Sequence, residues 1–160
     1  MRDTDAQHGL GVDIRHDVPD AYRALAALSR ASGLDHRLTE LVKVRVSQIN
    51  GCAYCVDMHV ELARTAGEAD RRLHAVAVWR ESPFFSERER TALALAEALT
   101  IPPLGPVPAD LAAAARALGR EDLEALVVVI TGINAWNRAM VASGTPPPPL
   151  ADPPPREETP

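Results

Sequence analysis

The sequence predicts an all-α protein, and three observations carry that expectation. Ala and Leu are abundant while aromatics make up only 4% of the 160 residues. Such a composition favours helices packed through small and straight-chain side chains over a β-sandwich. Apolar residues recur at three- and four-residue spacing along most of the chain, and glycines, prolines and capping residues break those runs at helix length. The length suits one domain. With 46% apolar and 24% charged residues, a sizeable core can form.

Residues 1–16 are polar with two glycines and read as a flexible N-terminal arm. The folded domain is expected over residues 17–145, with about six to seven helices. Asp17 can cap the first, Pro19 suits its first turn, and Tyr22, Leu25 and Leu28 recur at helical spacing up to Gly33. A second helix runs from about Asp35 to Asn50 with Leu38, Leu41, Val42, Val46 and Ile49 on one side. Gly51 ends it, as a glycine just past a helix does. A third starts at or near Cys52 and runs to Ala66, with Val56, Met58, Val60, Leu62 and Ala63 as its apolar face. Gly67 stops it. A fourth spans roughly Glu68 to Arg80. Pro83 then breaks the chain, and Ser86 with Glu89 three residues on has the form of a capping box. The helix behind it, "ERERTALALAEALT", ends before "IPPLGP". A short helix follows from Pro108 to Gly119. The last runs from about Glu121 to Ser143. Its "LVVVI" stretch could form a strand on β-branching alone, but no second strand candidate exists to pair with it. Residues 146–160 hold eight of the fourteen prolines and are expected to be extended or disordered.

A net charge of −5 and a pI near 5.5 argue against nucleic acid as a partner, because phosphate binding needs a basic face. No apolar run approaches the ~20 residues of a membrane span, and the N-terminus lacks the apolar core of a secretory signal. The expected compartment is the cytoplasm. There, a close cysteine pair points to catalysis or metal binding rather than to a structural staple.

Both cysteines lie in "NGCAYCVDMHVE". On a helix beginning at Cys52, Cys55 is i+3 and His59 lies four further on, all on one face. Free N–H groups and the positive end of the helix dipole favour thiolate over thiol there. Glu40 lies on the preceding helix. In an antiparallel hairpin the rise per residue puts Glu40 roughly 16 Å below the turn, His59 12 Å and Cys55 6 Å. Glu40 is then too deep to touch Cys55 but can sit near the level of His59. This suggests a relay in which Glu40 orients His59, and His59 takes the thiol proton. Two other readings stand beside it. A zinc site would need His59 plus Glu40 or a further histidine, since only two cysteines are present. The pair could also be two small apolar residues of a packed helix. His8, His16, His36 and His74 read as surface or core residues, Trp79 and Trp136 as anchors of core or subunit contacts. Lys43 and Arg45 read as a solvated edge, or as a source of positive potential near the thiols.

The stretch "ELVKVRVSQINGCAYCVDMH" resembles the alkylhydroperoxidase AhpD-like proteins of the carboxymuconolactone decarboxylase superfamily. Their hallmark is a glutamate, a C-x-x-C twelve residues later, and a histidine four past the second cysteine. Glu40, Cys52, Cys55 and His59 match in type and spacing. "AVWRESPFFSERERTALALAEALT" and "INAWNRAMVA" resemble blocks of a peroxidase-related subgroup, so the likeness covers roughly residues 18–144. It implies an all-α, homo-oligomeric protein, a trimer or hexamer. It implies a thiol peroxidase that needs no cofactor or metal and acts on hydrogen peroxide or organic hydroperoxides. The family's reductant is a dithiol, often a lipoylated protein or a peroxiredoxin partner. It makes Cys55 the peroxidatic thiol and Cys52 the resolving one, whereas nearness to the helix start favours Cys52. Tyr54 stands where that branch can place a second histidine, and it could donate a hydrogen bond to the departing oxygen. The superfamily's lactone decarboxylases lack the cysteine pair. A non-catalytic redox sensor using the Cys52–Cys55 disulfide as a switch is the alternative.

Overall fold

A computed structural model describes residues 10–30, 33–101 and 106–149. Among them are eight α-helices, one 3-10 turn and no strand. The helices are α1 (Ile14–Asp17), α2 (Pro19–Arg30), α3 (His36–Asn50), α4 (Ala53–Thr65), α5 (Asp70–Ala75), α6 (Glu87–Thr100), α7 (Ala109–Ala117) and α8 (Arg120–Ser143).

The chain folds around α3. Asp35 caps its start by accepting the Leu38 N–H at 3.0 Å, and Gly51 ends it in the left-handed conformation at φ 68°. No L side chain adopts that φ without cost, so the expected glycine stop is a backbone requirement. Leu38, Val42 and Val46 face one apolar cluster with Ala92, Leu95, Leu126 and Ile130, from α6 and α8. Leu41 and Val44 face a second cluster with Ala63, Leu73, Val76, Trp79, Phe85 and Leu93. The helix is thus buried on two sides rather than along one stripe, as a central helix must be.

Helix α6 opens with the expected capping box. Ser86 N–H donates to Glu89 Oε2 at 2.8 Å and Glu89 N–H to Ser86 Oγ at 3.3 Å. "LVVVI" lies inside α8, whose 24 residues include Leu126, Val129, Ile130 and Ile133 in the core. By length and composition α8 alone among the described residues would suffice to cross a membrane, contrary to the reading of the apolar runs. Here it is a core helix that also carries Asn134, Trp136 and Asn137 into side-chain hydrogen bonds.

Other departures have local causes. Asp17 does not cap the first long helix. It closes α1, a single turn capped by Asp13, whose carboxylate accepts the Arg15 and His16 N–H groups. The long helix then begins at Pro19. The described part of the arm is therefore not featureless, and Leu10 N–H donates to the Ala142 carbonyl at 2.6 Å. The fourth expected helix is shorter. It is helical from Asp70 to Ala75 and tightens to a 3-10 turn at Val76–Val78. Residues 146–149 lack regular structure. His8 and the remainder of the arm and proline tail lie outside the described residues.

Candidate active site

Gly51 reverses the chain between α3 and α4, and Cys52 is the N-cap of α4. Its Sγ accepts the Cys55 N–H at 3.3 Å, so the sulfur takes up one of the free donors at the helix start. Cys52 and Cys55 are joined as a disulfide with Cα atoms 5.3 Å apart. Both cysteines are buried, and Cys52 lines two hollows. A hollow of about 1130 Å³ runs along Cys52, Tyr54, Tyr22, Met140 and Pro147. A smaller one of about 520 Å³ reaches Cys52 from the side of Gln48 and Val56.

One face of α4 is buried, and it is the chemical one. Cys55, His59 and Ala63 point inward, while Met58 and Leu62 are exposed. Of the apolar face expected from Val56, Met58, Val60, Leu62 and Ala63, Ala63 is in the core and Val60 packs against it, Val56 is half-buried, and Met58 and Leu62 are not packed. What permits a histidine inside is a partner. His59 Nδ1 lies 2.6 Å from Glu40 Oε2, and the two residues are 5% and 1% exposed. Hairpin geometry puts these two side chains near one level, and the structure brings them into contact.

The second oxygen of Glu40 is held as well. Lys43 Nζ donates to Glu40 Oε1 at 3.0 Å, one turn along α3, with its side chain nearly enclosed. Lys43 is thus part of the cluster and not a solvated edge. Its three-residue spacing from Glu40 was the available signal. Burial pushes the Glu40 carboxyl up, but hydrogen bonds and charge from His59 and Lys43 outweigh burial and hold it below the usual carboxylate range. An ionised Glu40 is acceptor-only, so His59 Nδ1 carries the proton in this bond. In the neutral ring, Nε2 is then left as the proton acceptor. The arrangement is an imidazole oriented by a buried carboxylate, one helical turn behind a cysteine pair.

The remaining expectations sort simply. Tyr54 is half-buried and lines the larger hollow beside Cys52. Arg45 is committed elsewhere, since its Nε donates to Glu97 at 2.8 Å, which also accepts the Trp79 Nε1–H at 2.9 Å. Trp79 is buried, and Trp136 donates to Ser29 Oγ at 2.6 Å. His16, His36 and His74 are exposed. Among the described residues no group of three His, Cys, Asp or Glu side chains is arranged to hold a metal ion.

The model of the carboxymuconolactone decarboxylase family matches residues 16–98, which include Glu40, Lys43, Cys52, Cys55 and His59. The uncharacterized protein YdfG of Bacillus subtilis is 40% identical over 117 residues, covering 72% of this chain and 80% of that one. The uncharacterized protein YnjA of Escherichia coli is 43% identical over 75 residues, or 46% of this chain and 41% of that protein. A crystal structure of a protein of unknown function from Agrobacterium tumefaciens, suggested to be an antioxidant defence protein AhpD, superposes with a TM-score of 0.83. It shares 36% identity and covers 88% of this chain and 99% of its own. The chain therefore belongs to the carboxymuconolactone decarboxylase family and is AhpD-like within it.

Proposed function

We propose that the protein is a thiol-dependent peroxidase that reduces hydrogen peroxide or organic hydroperoxides through a Cys52–Cys55 dithiol–disulfide cycle. One observation carries this reading: a cysteine pair at a helix start stands one turn from a buried His59 whose ring is oriented by Glu40. In the reduced protein His59 Nε2 accepts the proton of the attacking thiol, assigned to Cys55. The Cys55 thiolate attacks the terminal hydroperoxide oxygen. The S–O bond forms, the O–O bond breaks, and the alkoxide leaves as the alcohol on taking a proton from His59. Tyr54, which lines the hollow, is assigned the hydrogen bond to that oxygen. Cys52, the resolving thiol, then attacks the sulfenic sulfur, so that the S–S bond forms and hydroxide leaves as water. The sum is one hydroperoxide and two thiols to one alcohol, one water and one disulfide. No metal or other cofactor takes part in this cycle. An external dithiol, carried by a protein or free, restores the pair. Its attack falls on Cys52 Sγ, the sulfur that borders the hollow. As in the family, a homo-oligomer is the proposed working form.

The test is mass spectrometry after stoichiometric peroxide, in wild type, Cys52→Ser and Cys55→Ser. A sulfenic acid trapped at Cys55 in Cys52→Ser, with none at Cys52 in Cys55→Ser, supports the assignment. The reverse pattern exchanges the two roles. No peroxide-dependent mass change in any of the three removes the peroxidase reading. A disulfide that forms once and is not turned over by any dithiol would make the pair a redox switch instead.

A further inference from the structure

The redox turn is wired to α8 by amides, one of them fully buried, that the proton relay does not use. Asn137 is fully buried. Its Nδ2 donates to Ser47 Oγ at 3.0 Å, and its Oδ1 accepts from Asn50 Nδ2 at 2.9 Å. Ser47 and Asn50 are the two ends of the last turn of α3. The Ser47 carbonyl in turn accepts the Cys52 N–H at 3.1 Å, across the left-handed Gly51. One side chain of α8 therefore grips both ends of the turn that delivers Cys52. Asn134 reinforces it, accepting a second bond from Asn50 Nδ2 at 2.9 Å. Buried amides are costly unless every group is paired, so such a network fixes one geometry and resists others.

We propose that Asn137 is a positioning residue for the Cys52–Cys55 pair, and that by clamping the Ser47–Cys52 turn it sets the pair's thiol–disulfide equilibrium. The physical link is effective concentration. A disulfide forms within the protein to the extent that the two sulfurs are held in reach of each other, and freedom in the turn dilutes one thiol as seen by the other. The clamp acts on the backbone of Cys52 and not on the electrostatics of His59, which is paired to α3 through Glu40. Releasing it should therefore move the equilibrium without abolishing proton transfer. The inference needs only that the pair be redox-active.

The test is the equilibrium of the full-length protein with glutathione redox buffers, read by thiol alkylation and mass. Asn137→Ala should lower the equilibrium constant for disulfide formation about tenfold, a rise in reduction potential of about 30 mV for this two-electron couple. Ser47→Ala should shift it in the same direction, and the double variant should add little to either, as two links of one chain do. Val129→Ala, a core truncation on the same helix, should weaken the fold and leave the potential at the wild-type value. If Asn137→Ala fails to fold, the Ser47→Ala shift carries the test alone. Wild-type potential in both Asn137→Ala and Ser47→Ala, or an equal shift in Val129→Ala, overturns the proposal. A wild-type pair that cannot be reduced would instead overturn the peroxidase reading, so the two failures are distinct.

Discussion

Replacing Glu40 by Gln keeps the side chain's shape and removes its charge, which isolates the part Glu40 plays in the relay. In the wild type the buried carboxylate accepts from His59 Nδ1 at 2.6 Å and from Lys43 Nζ at 3.0 Å. A hydrogen bond to a charged group contributes about 1.5–3 kcal/mol. The Glu40 bond strengthens as His59 takes up the thiol proton, because the imidazolium then faces a carboxylate. Spent on the barrier, that energy corresponds to about 10- to 150-fold in rate. With Gln the amide carbonyl still accepts from one of the two donors, so the helices stay docked and the loss is chemical. The assay mixes pre-reduced protein with one equivalent of an organic hydroperoxide and counts remaining thiols after rapid quenching. Circular dichroism confirms the fold. A Glu40→Gln rate within twofold of wild type at pH 7, with helix content unchanged, would refute the relay.

Further predictions follow from the same cluster and its turn. Lys43→Met should lower stability by about 1–2 kcal/mol near pH 7, since it strips a partner from a buried carboxylate, and urea denaturation would show the difference shrinking as Glu40 is protonated. Glu40, Glu89 and Glu97 are all pushed up by burial yet held below the usual carboxylate range by their hydrogen-bond and ion-pair partners. Their stabilisation is fully present above the unfolded value of about 4.3 and is lost as pH falls through the lower folded values. The urea midpoint should accordingly hold from pH 7 to about 5 and drop steeply in more acid solution. A midpoint flat down to pH 3 would contradict this. Gly51→Ala should cost about 1–2 kcal/mol from the left-handed backbone alone, because an added Cβ would meet nothing within 4 Å; an unchanged midpoint would show that the turn relaxes freely.

Much of this was legible in the residues, and the failures are instructive. Helix ends marked by Gly51 and by Ser86 with Glu89 lie where the sequence puts them, because caps and left-handed turns are local and few residue types satisfy them. The closeness of Glu40 and His59 followed from counting rise along a hairpin. The packed face of α4 followed only in part, through Ala63 and Val60. An apolarity pattern selects Met58 and Leu62, yet burial goes to Cys55 and His59, because a paired histidine can occupy a core position that no hydropathy scale grants it. Lys43 was misread for the same reason: a lysine looks solvated until its carboxylate partner is known to be inside. The Asn137 clamp joins residues ninety positions apart, and spacing carries no signal of such a pair.

The most direct measurement of the central claim is stoichiometry. Reduced wild-type protein, titrated anaerobically with hydroperoxide, should consume one peroxide for each Cys52–Cys55 disulfide formed, and added dithiol should restore two thiols and a second round of consumption. Peroxide consumed without loss of thiols, or thiols that persist in the presence of excess hydroperoxide, would contradict it.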